Sequence, residues 1–405
     1  MYNETLIALL LLLVACVVTM VIYPYVLSFA IRHQVVDNPD VRKLQRVPVP
    51  VMGGTCVFAG MIVPAVVAFA FLKDVQILYI MGLLSIMYLT GLWDDRKDVY
   101  PGLRLIIETL VVWFIILVLH IEIPDFHGFL GIHQIPATVS LPLSIVAGVG
   151  IMNAVNLIDG VDGYCSSYGI MACTSFAVIF HMVGDTVLMF LALSVIGALI
   201  PFFFHNVFGK CSKMFLGDSG SLMLGTVLTI FVFAALSMAP EQCIKFDGAG
   251  LSLVGLTLAI LAVPVFDTLR VMTARMICGK SPFHPDKTHL HHLFIEMNFP
   301  PLPTTGIIVT CNLMIILLDL LAWKLGASGS LQVFLVILLS LCLTCVFYYY
   351  MEGQHKQNDG QGSDLYRKWC KFGFGTRMSG RKWWRAITRA VDSRLLAGKE
   401  IKTEK

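Results

Sequence analysis

Apolar residues run through this chain in blocks of about twenty, separated by short segments where charge, proline and glycine collect. Eleven blocks are legible: 5–31, 51–72, 75–93, 102–120, 141–157, 164–183, 186–205, 219–238, 249–270, 304–324 and 329–350. Each is about as long as ~30 Å of hydrocarbon requires of an α-helix, and none shows the ten-residue alternation of a barrel strand. Lipid offers backbone groups no hydrogen-bonding partner, so a spanning segment must satisfy them internally. The pattern therefore predicts an all-α polytopic membrane protein with about eleven transmembrane helices. The fifth block is short and carries Gly148, Gly150, Asn153 and Asn156, so it is the least lipid-like. The first follows only Met1–Glu4, without a basic leader or a small-residue cleavage site, and reads as a retained helix.

Composition narrows the class. Hydrophobic residues make up 57% and charged residues 14%, against roughly 25% charge in soluble domains. That excludes a water-soluble enzyme, and a net charge of +3 excludes a nucleic-acid-coating chain. With eleven spans, alternate loops and the C-terminal tail hold 26 of the 29 Lys and Arg residues, and the other face holds only Lys73, Lys245 and Lys324. Positive charge stays inside, which predicts a periplasmic N-terminus and a cytoplasmic C-terminus. The eleven cysteines are scattered, and Cys342 and Cys345 sit inside the last apolar block as small hydrophobes. No internal repeat or inverted half is visible. The expected organisation is a transmembrane domain at 1–350 and a basic tail at 351–405. Within the tail, Trp384, Ile387, Val391 and Leu395 recur at helical spacing among arginines, which predicts an interfacial amphipathic helix over 381–396.

Candidate chemistry collects in five clusters, all at cytoplasmic helix ends on this topology, where ionisable groups are functional suspects. The first is Gly91-Leu92-Trp93-Asp94-Asp95-Arg96-Lys97-Asp98. Adjacent carboxylates persist with a cation, a proton or basic neighbours, which Arg96 and Lys97 can supply; a solvated loop is the plainer alternative. In the second, Asn153, Asn156, Asp159 and Asp162 recur every third residue and Gly160 and Gly163 end the helix. Such oxygen-rich ground suits a hard cation such as Mg²⁺, or else it is a capped turn. The third, Phe215-Leu216-Gly217-Asp218-Ser219-Gly220-Ser221, opens a span. Asp218 there suits an N-cap or a metal that bridges phosphate oxygens. The fourth runs from Asp267, Arg270 and Arg275 to His289, His291 and His292. Without a nearby cysteine or H-E-x-x-H, structural zinc is a weak reading; imidazole and guanidinium donors suit an anionic diphosphate. The fifth is the first loop, Asp37 to Lys43 and on through Pro48 to Gly54, shaped by Pro and Gly and carrying basic residues. Together the clusters suit phosphoryl transfer between a soluble donor and a membrane-held acceptor.

In this order, DDxxD, NxxNxxDGxDG, FxGDxGS and HxHH resemble the polyprenyl-phosphate N-acetylhexosamine-1-phosphate transferases (glycosyltransferase family 4). The motifs cover about 35–300, and the eleven-span topology extends the likeness to about 350. His289-Leu290-His291-His292 is similar to the bacterial branch that joins UDP-N-acetylglucosamine to undecaprenyl phosphate, rather than to the peptidoglycan branch with three consecutive histidines. One departure is Arg42-Lys43-Leu44-Gln45, where relatives often read Arg-Lys-x-His. The resemblance implies transfer of N-acetylglucosamine-1-phosphate with release of UMP, starting a cell-surface polysaccharide of O-antigen, common-antigen or teichoic-acid type. It also implies Mg²⁺, with Mn²⁺ as a substitute, and the bacterial inner membrane. It makes Asp218 the leading metal ligand and Asn156 the second. It assigns Asp94 and Asp95 to the lipid phosphate and Phe215 and Asp162 to uracil, with Asn153 and Asp159 shaping the nucleotide pocket. Arg275, His289, His291 and His292 would grip the donor diphosphate, with Asp267 orienting Arg270 or Arg275 and Arg46 a further phosphate contact. A homodimer is compatible by analogy.

Direct attack by the lipid phosphate on the donor is favoured, because that oxygen is already largely ionised near neutrality. The rival route makes Asp94 or Asp95 a nucleophile that forms a phospho-enzyme. Rival identities are another UDP-amino sugar or the UDP-muramoyl-pentapeptide as donor, and a cation-coupled transporter. A transporter would place its site near the midplane rather than at one face. The CDP-alcohol phosphotransferase pattern is not found.

Overall fold

The computed structural model describes residues 2–37, 48–238, 250–282, 286–357 and 382–403. Its long helices are α1 (Tyr2–Arg32), α2 (Gly53–Leu72), α3 (Gln76–Lys97), α4 (Pro101–Leu119), α5 (Ala137–Leu157), α6 (Tyr164–Val183), α7 (Thr186–Phe208) and α8 (Gly217–Leu236). There follow α9 (Leu253–Ile260), α10 (Ala262–Ile277), the short α11 (Leu290–Glu296), α12 (Pro301–Lys324), α13 (Gly329–Leu341), α14 (Tyr348–Gln357) and α15 (Lys382–Thr403). Two small antiparallel pairs complete the elements, β1 (Val36–Asp37) with β2 (Val49–Pro50), and β3 (Asp125–Phe129) with β4 (Ile132–Gln134). By length and composition, ten helices among the described residues can cross a membrane, or eleven if the bent pair α9 and α10 counts as one.

The ninth block departs from expectation. Instead of one helix over 249–270, α9 and α10 meet at a 74° bend. Pro264 favours the break: it has no backbone N–H to donate to Ile260 O, and α10 places it in the first turn, where that N–H is not needed. Groups exposed at such a break need partners in a dry interior. Asn312 of α12 provides them: its Oδ1 accepts from Val263 N (2.9 Å), and its Nδ2 donates to the carbonyls of Ala259 and Ile260 (3.1 Å each). The fifth helix begins at Ala137, four residues before the expected start, and is long enough to be counted among the candidate spans. The last block carries a π-helical turn at Cys342–Phe347 before α14 continues.

The chain divides into two compact units, the first made of Met1–Leu119, Cys165–Val227 and Ser379–Lys405, the second of His120–Tyr164 and Leu228–Met378. In the first, α1, α2 and α7 pack against one another. In α8, 94% of the apolar window is buried. In the second unit, α9 packs against α12 and α13, and α10 against α5.

Candidate active site

In the first unit, the first, third and fifth clusters come together. The segment leading into α8 is laid against the end of the first loop: Phe215 N donates to Pro50 O, Gly53 N to Phe215 O and Gly54 N to Leu216 O, each at 2.8 Å. Gly91 of α3 abuts the Asp218 peptide so closely that a β-carbon there would collide with it. This contact brings the C-terminal turn of α3 to the N-terminus of α8. A helix N-terminus presents N–H groups that have no partner within the helix. Asp95 supplies one from α3: its Oδ1 accepts from Asp218 N (2.8 Å) and its Oδ2 from Ser219 N (3.1 Å). Gly217, with φ +75°, turns the chain in at this point, and a β-carbon there would lie 2.7 Å from Asp95 Oδ2. The N-cap function considered for Asp218 therefore belongs to Asp95. Asp218 lies in the first turn, partly exposed.

Asp94 faces another way. Its Oδ1 accepts from Val99 N (2.8 Å) and its Oδ2 from Arg104 Nη1 (3.2 Å). Arg104 Nε also donates to Glu108 (2.9 Å), a fully buried acid. The cation on Asp94 is thus Arg104, whereas Arg96 and Lys97, the expected neighbours, are exposed. Arg104 and Glu108 were missed in the sequence although the signal was there: an acid and a base four residues apart inside an apolar block. Phe215 is partly exposed, with Lys213 Nζ 5.6 Å from its ring centroid. Arg46 lies outside the described residues.

In the second unit, the second and fourth clusters meet. Helix α5 ends at Leu157, and Asn153, Asn156, Asp159 and Asp162 are partly exposed among buried neighbours. Asn153 Nδ2 bonds back to Val149 O (2.9 Å), and Asp162 O accepts from Thr305 Oγ1 (3.0 Å). His291 reaches this loop at Gly160, where its Nε2 would lie 2.5 Å from an added β-carbon, and its ring sits edge-on to Tyr164.

Asp267 organises the histidines. Only 3% exposed, it accepts from Arg270 Nη2 (2.6 Å), from His289 Nδ1 (2.9 Å) and from Leu290 N (3.1 Å), capping α11 from α10. Of the two arginines considered, it is Arg270 that Asp267 orients. The guanidinium of Arg270 also lies 3.6 Å over the Tyr348 ring and donates to Thr288 O. Arg275 makes a two-pronged fork with Asp286 (2.8 Å each) and donates to Pro282 O (2.7 Å), so it shapes the loop before the histidines. This fork holds the Asp286 carboxyl well below the usual carboxylate range. Burial, then the neighbouring His292 and His289, pushes the His291 imidazole well down; burial, then His289 and Lys287, pushes His292 to about 4. Both rings are therefore neutral near pH 7. The Nε2 atoms of His289 and His291 are buried and have no hydrogen-bond partner among the described residues. Buried polar atoms without a partner are rare and suit an incoming polar ligand.

Among the described residues, no group of three or more His, Cys, Asp or Glu side chains forms a metal cage. Magnesium needs none, since it typically takes one or two carboxylates and completes its shell with water and substrate phosphate. Asp218 is an oxygen donor of that kind, and so is the Asn156 amide in its own unit.

A model of glycosyl transferase family 4 matches residues 77–236, from the start of α3 to the end of α8. The chain is 29% identical, over 69% of its length and 75% of the relative, to a probable undecaprenyl-phosphate N-acetylglucosaminyl 1-phosphate transferase of Bacillus subtilis. It is 28% identical to the undecaprenyl-phosphate alpha-N-acetylglucosaminyl 1-phosphate transferase of Yersinia pestis, over 67% of this chain and 72% of that one. For the protein of the same name in Escherichia coli K12 the identity is 27%, over 65% and 70%.

Proposed function

We propose, from the premise that the chain belongs to glycosyl transferase family 4, that it transfers N-acetylglucosamine-1-phosphate from UDP-N-acetylglucosamine to undecaprenyl phosphate. In that reaction an oxygen of the lipid phosphate attacks the sugar-bearing phosphorus. A new P–O bond forms, the bridging P–O bond breaks, and UMP departs with the electron pair. The observation that carries the reading is the junction of α3 and α8, where Asp95 holds the amides of Asp218 and Ser219 and so fixes a partly exposed carboxylate at a helix N-terminus. Phosphoryl transfer is mostly positioning and charge neutralisation, and that junction is built for both.

Roles are proposed within each unit. In the first, Asp218 would hold Mg²⁺, and Arg104, steadied by Asp94 and Glu108, would face the lipid phosphate. The metal, when bound, neutralises phosphate charge. Both Asp95 oxygens already accept amide protons, which favours direct transfer over a phospho-aspartate at that residue. In the second unit, the buried imidazoles of His289 and His291 would bond an oxygen-rich donor group. The excess of Lys and Arg on alternate loops supports an outer N-terminus and a cytoplasmic site, in a bacterial inner membrane.

The test is UMP release by the purified protein given UDP-N-acetylglucosamine, undecaprenyl phosphate and Mg²⁺. UMP should require all three and vanish in Asp218→Ala. Release only with UDP-N-acetylgalactosamine or the muramoyl-pentapeptide donor would change the donor. No release with any donor, from folded protein, would sink the transferase reading.

A further inference from the structure

The basic C-terminal segment, read from its sequence as a helix for the lipid surface, carries a feature that a lipid surface would not use. Asp392 of α15 is 5% exposed, and its carboxylate is turned onto the loop after α7. One oxygen accepts from Ser212 N (3.1 Å) and Ser212 Oγ (2.7 Å), the other from Lys210 N (3.2 Å) and Cys211 N (3.4 Å). One turn earlier Thr388 is also buried, and one turn before that Trp384 packs on Phe208, the last residue of α7, with ring centroids 4.8 Å apart. Residues 384, 388 and 392 are successive i, i+4 positions, so this is one stripe of α15 seated on the first unit. An acid on the face that a lipid-binding helix lays on the membrane would be repelled by anionic headgroups; here it is buried against four donors.

What the carboxylate holds is the lead-in to the candidate site. Ser212 is completely buried, and its carbonyl accepts from Tyr23 Oη of α1 (2.7 Å). Met214 O accepts from Asn206 Nδ2 of α7 (2.9 Å), and Phe215 N donates to Pro50 O. The loop is therefore fastened at successive points from Lys210 to Phe215, three residues before Asp218. We propose that α15 is a strap for this loop and that Asp392 is a positioning residue for the Phe215–Asp218 segment. The effect on catalysis rests on the transferase reading; the effect on the loop does not.

The experiment compares full-length wild type with Asp392→Ala, Asp392→Asn, Ser212→Ala, Asp392→Ala combined with Ser212→Ala, and the exposed control Arg389→Gln. Hydrogen exchange of peptides covering 209–218 is measured beside kcat and KM. Bonds to a charged acceptor are strong enough that losing them should speed exchange of the 210–212 amides by roughly tenfold or more. Misplacement of a catalytic segment by a fraction of an ångström should lower kcat by about ten- to a hundredfold. Asp392→Asn should fall between, Arg389→Gln should match wild type, and the double variant should be no worse than Asp392→Ala alone. Wild-type exchange and turnover in folded Asp392→Ala would overturn the strap. Faster exchange with unchanged kcat would overturn its positioning role. If Asp392→Ala does not fold, Asp392→Asn and Ser212→Ala decide by the same two readings. If wild type shows no transfer, the transferase reading fails and exchange alone decides the strap.

Discussion

Replacing Asp95 by Ala tests whether the acid of α3 is part of the scaffold. Its carboxylate takes the amides of Asp218 and Ser219 at 2.8 and 3.1 Å, and Ser219 is completely buried, so water cannot substitute there. A hydrogen bond to a charged group is worth about 1.5–3 kcal/mol, and a buried donor left without a partner costs its full desolvation. Two such bonds lost at the mouth of a buried helix amount to roughly 3–5 kcal/mol, a large part of a typical folding stability. Asp95→Asn should recover less than half, because its amide group would meet one backbone N–H donor to donor. Asp95→Glu should fare no better, since Gly217 already lies closer to the carboxylate than a β-carbon would allow. The assay is the apparent unfolding temperature in detergent, with hydrogen exchange of the 217–220 amides. The cap reasoning predicts a lower temperature and fast exchange in all three variants. An Asp95→Ala protein that unfolds like wild type, keeps those amides protected and loses only activity would refute it and make Asp95 a reacting group instead.

Asn312→Leu should destabilise by roughly 2–5 kcal/mol, since it strips partners from Val263 N and from the carbonyls of Ala259 and Ile260 at the 74° bend. A wild-type unfolding temperature in that variant would mean the bend satisfies itself. The histidine cluster sets a pH window: burial lowers His292 from 6.5 to about 4, so the folded state keeps it neutral where the unfolded chain takes a proton. The stability it contributes is fully present above pH 6.5 and is lost as pH falls from 6.5 toward 4, by up to about 3 kcal/mol. His291 is shifted the same way and deepens the loss. His292→Gln should flatten the stability profile between pH 6.5 and 4, and an unchanged slope there would count against the shift.

The helices were legible because membrane thickness acts on sequence directly: an apolar run either reaches across or does not. The break at Pro264 was less so, because a proline in an apolar run is tolerated when something else re-satisfies the backbone, and that something is an asparagine 49 residues away. The same distance problem explains the site. The motifs stood out by composition, but which of them share a unit depends on pairings such as Phe215 with Pro50 and His291 with Gly160, which no local pattern encodes.

Two acids have partners that no local pattern shows, for one physical reason. In the sequence Asp95 stands in a carboxylate pair and Asp392 in an amphipathic basic segment. Both carboxylates in fact accept backbone amides far along the chain: Asp95 from residues 218 and 219, Asp392 from residues 210 to 212. A carboxylate can neutralise several amide donors at once, so one acid can fix the path of a loop that has no regular hydrogen bonds of its own. Here two such acids hold the start and the end of one stretch, Lys210 to Ser219, within the first unit. Along it lie Phe215 and Asp218, the residues for which substrate and metal roles are proposed. The acids that anchor that stretch and the acid proposed to hold the metal are thus different residues with the same chemistry. The bonding of the anchors marks them: Asp392, enclosed, and Asp95, partly exposed like Asp218, each accept backbone amides far along the chain with both oxygens.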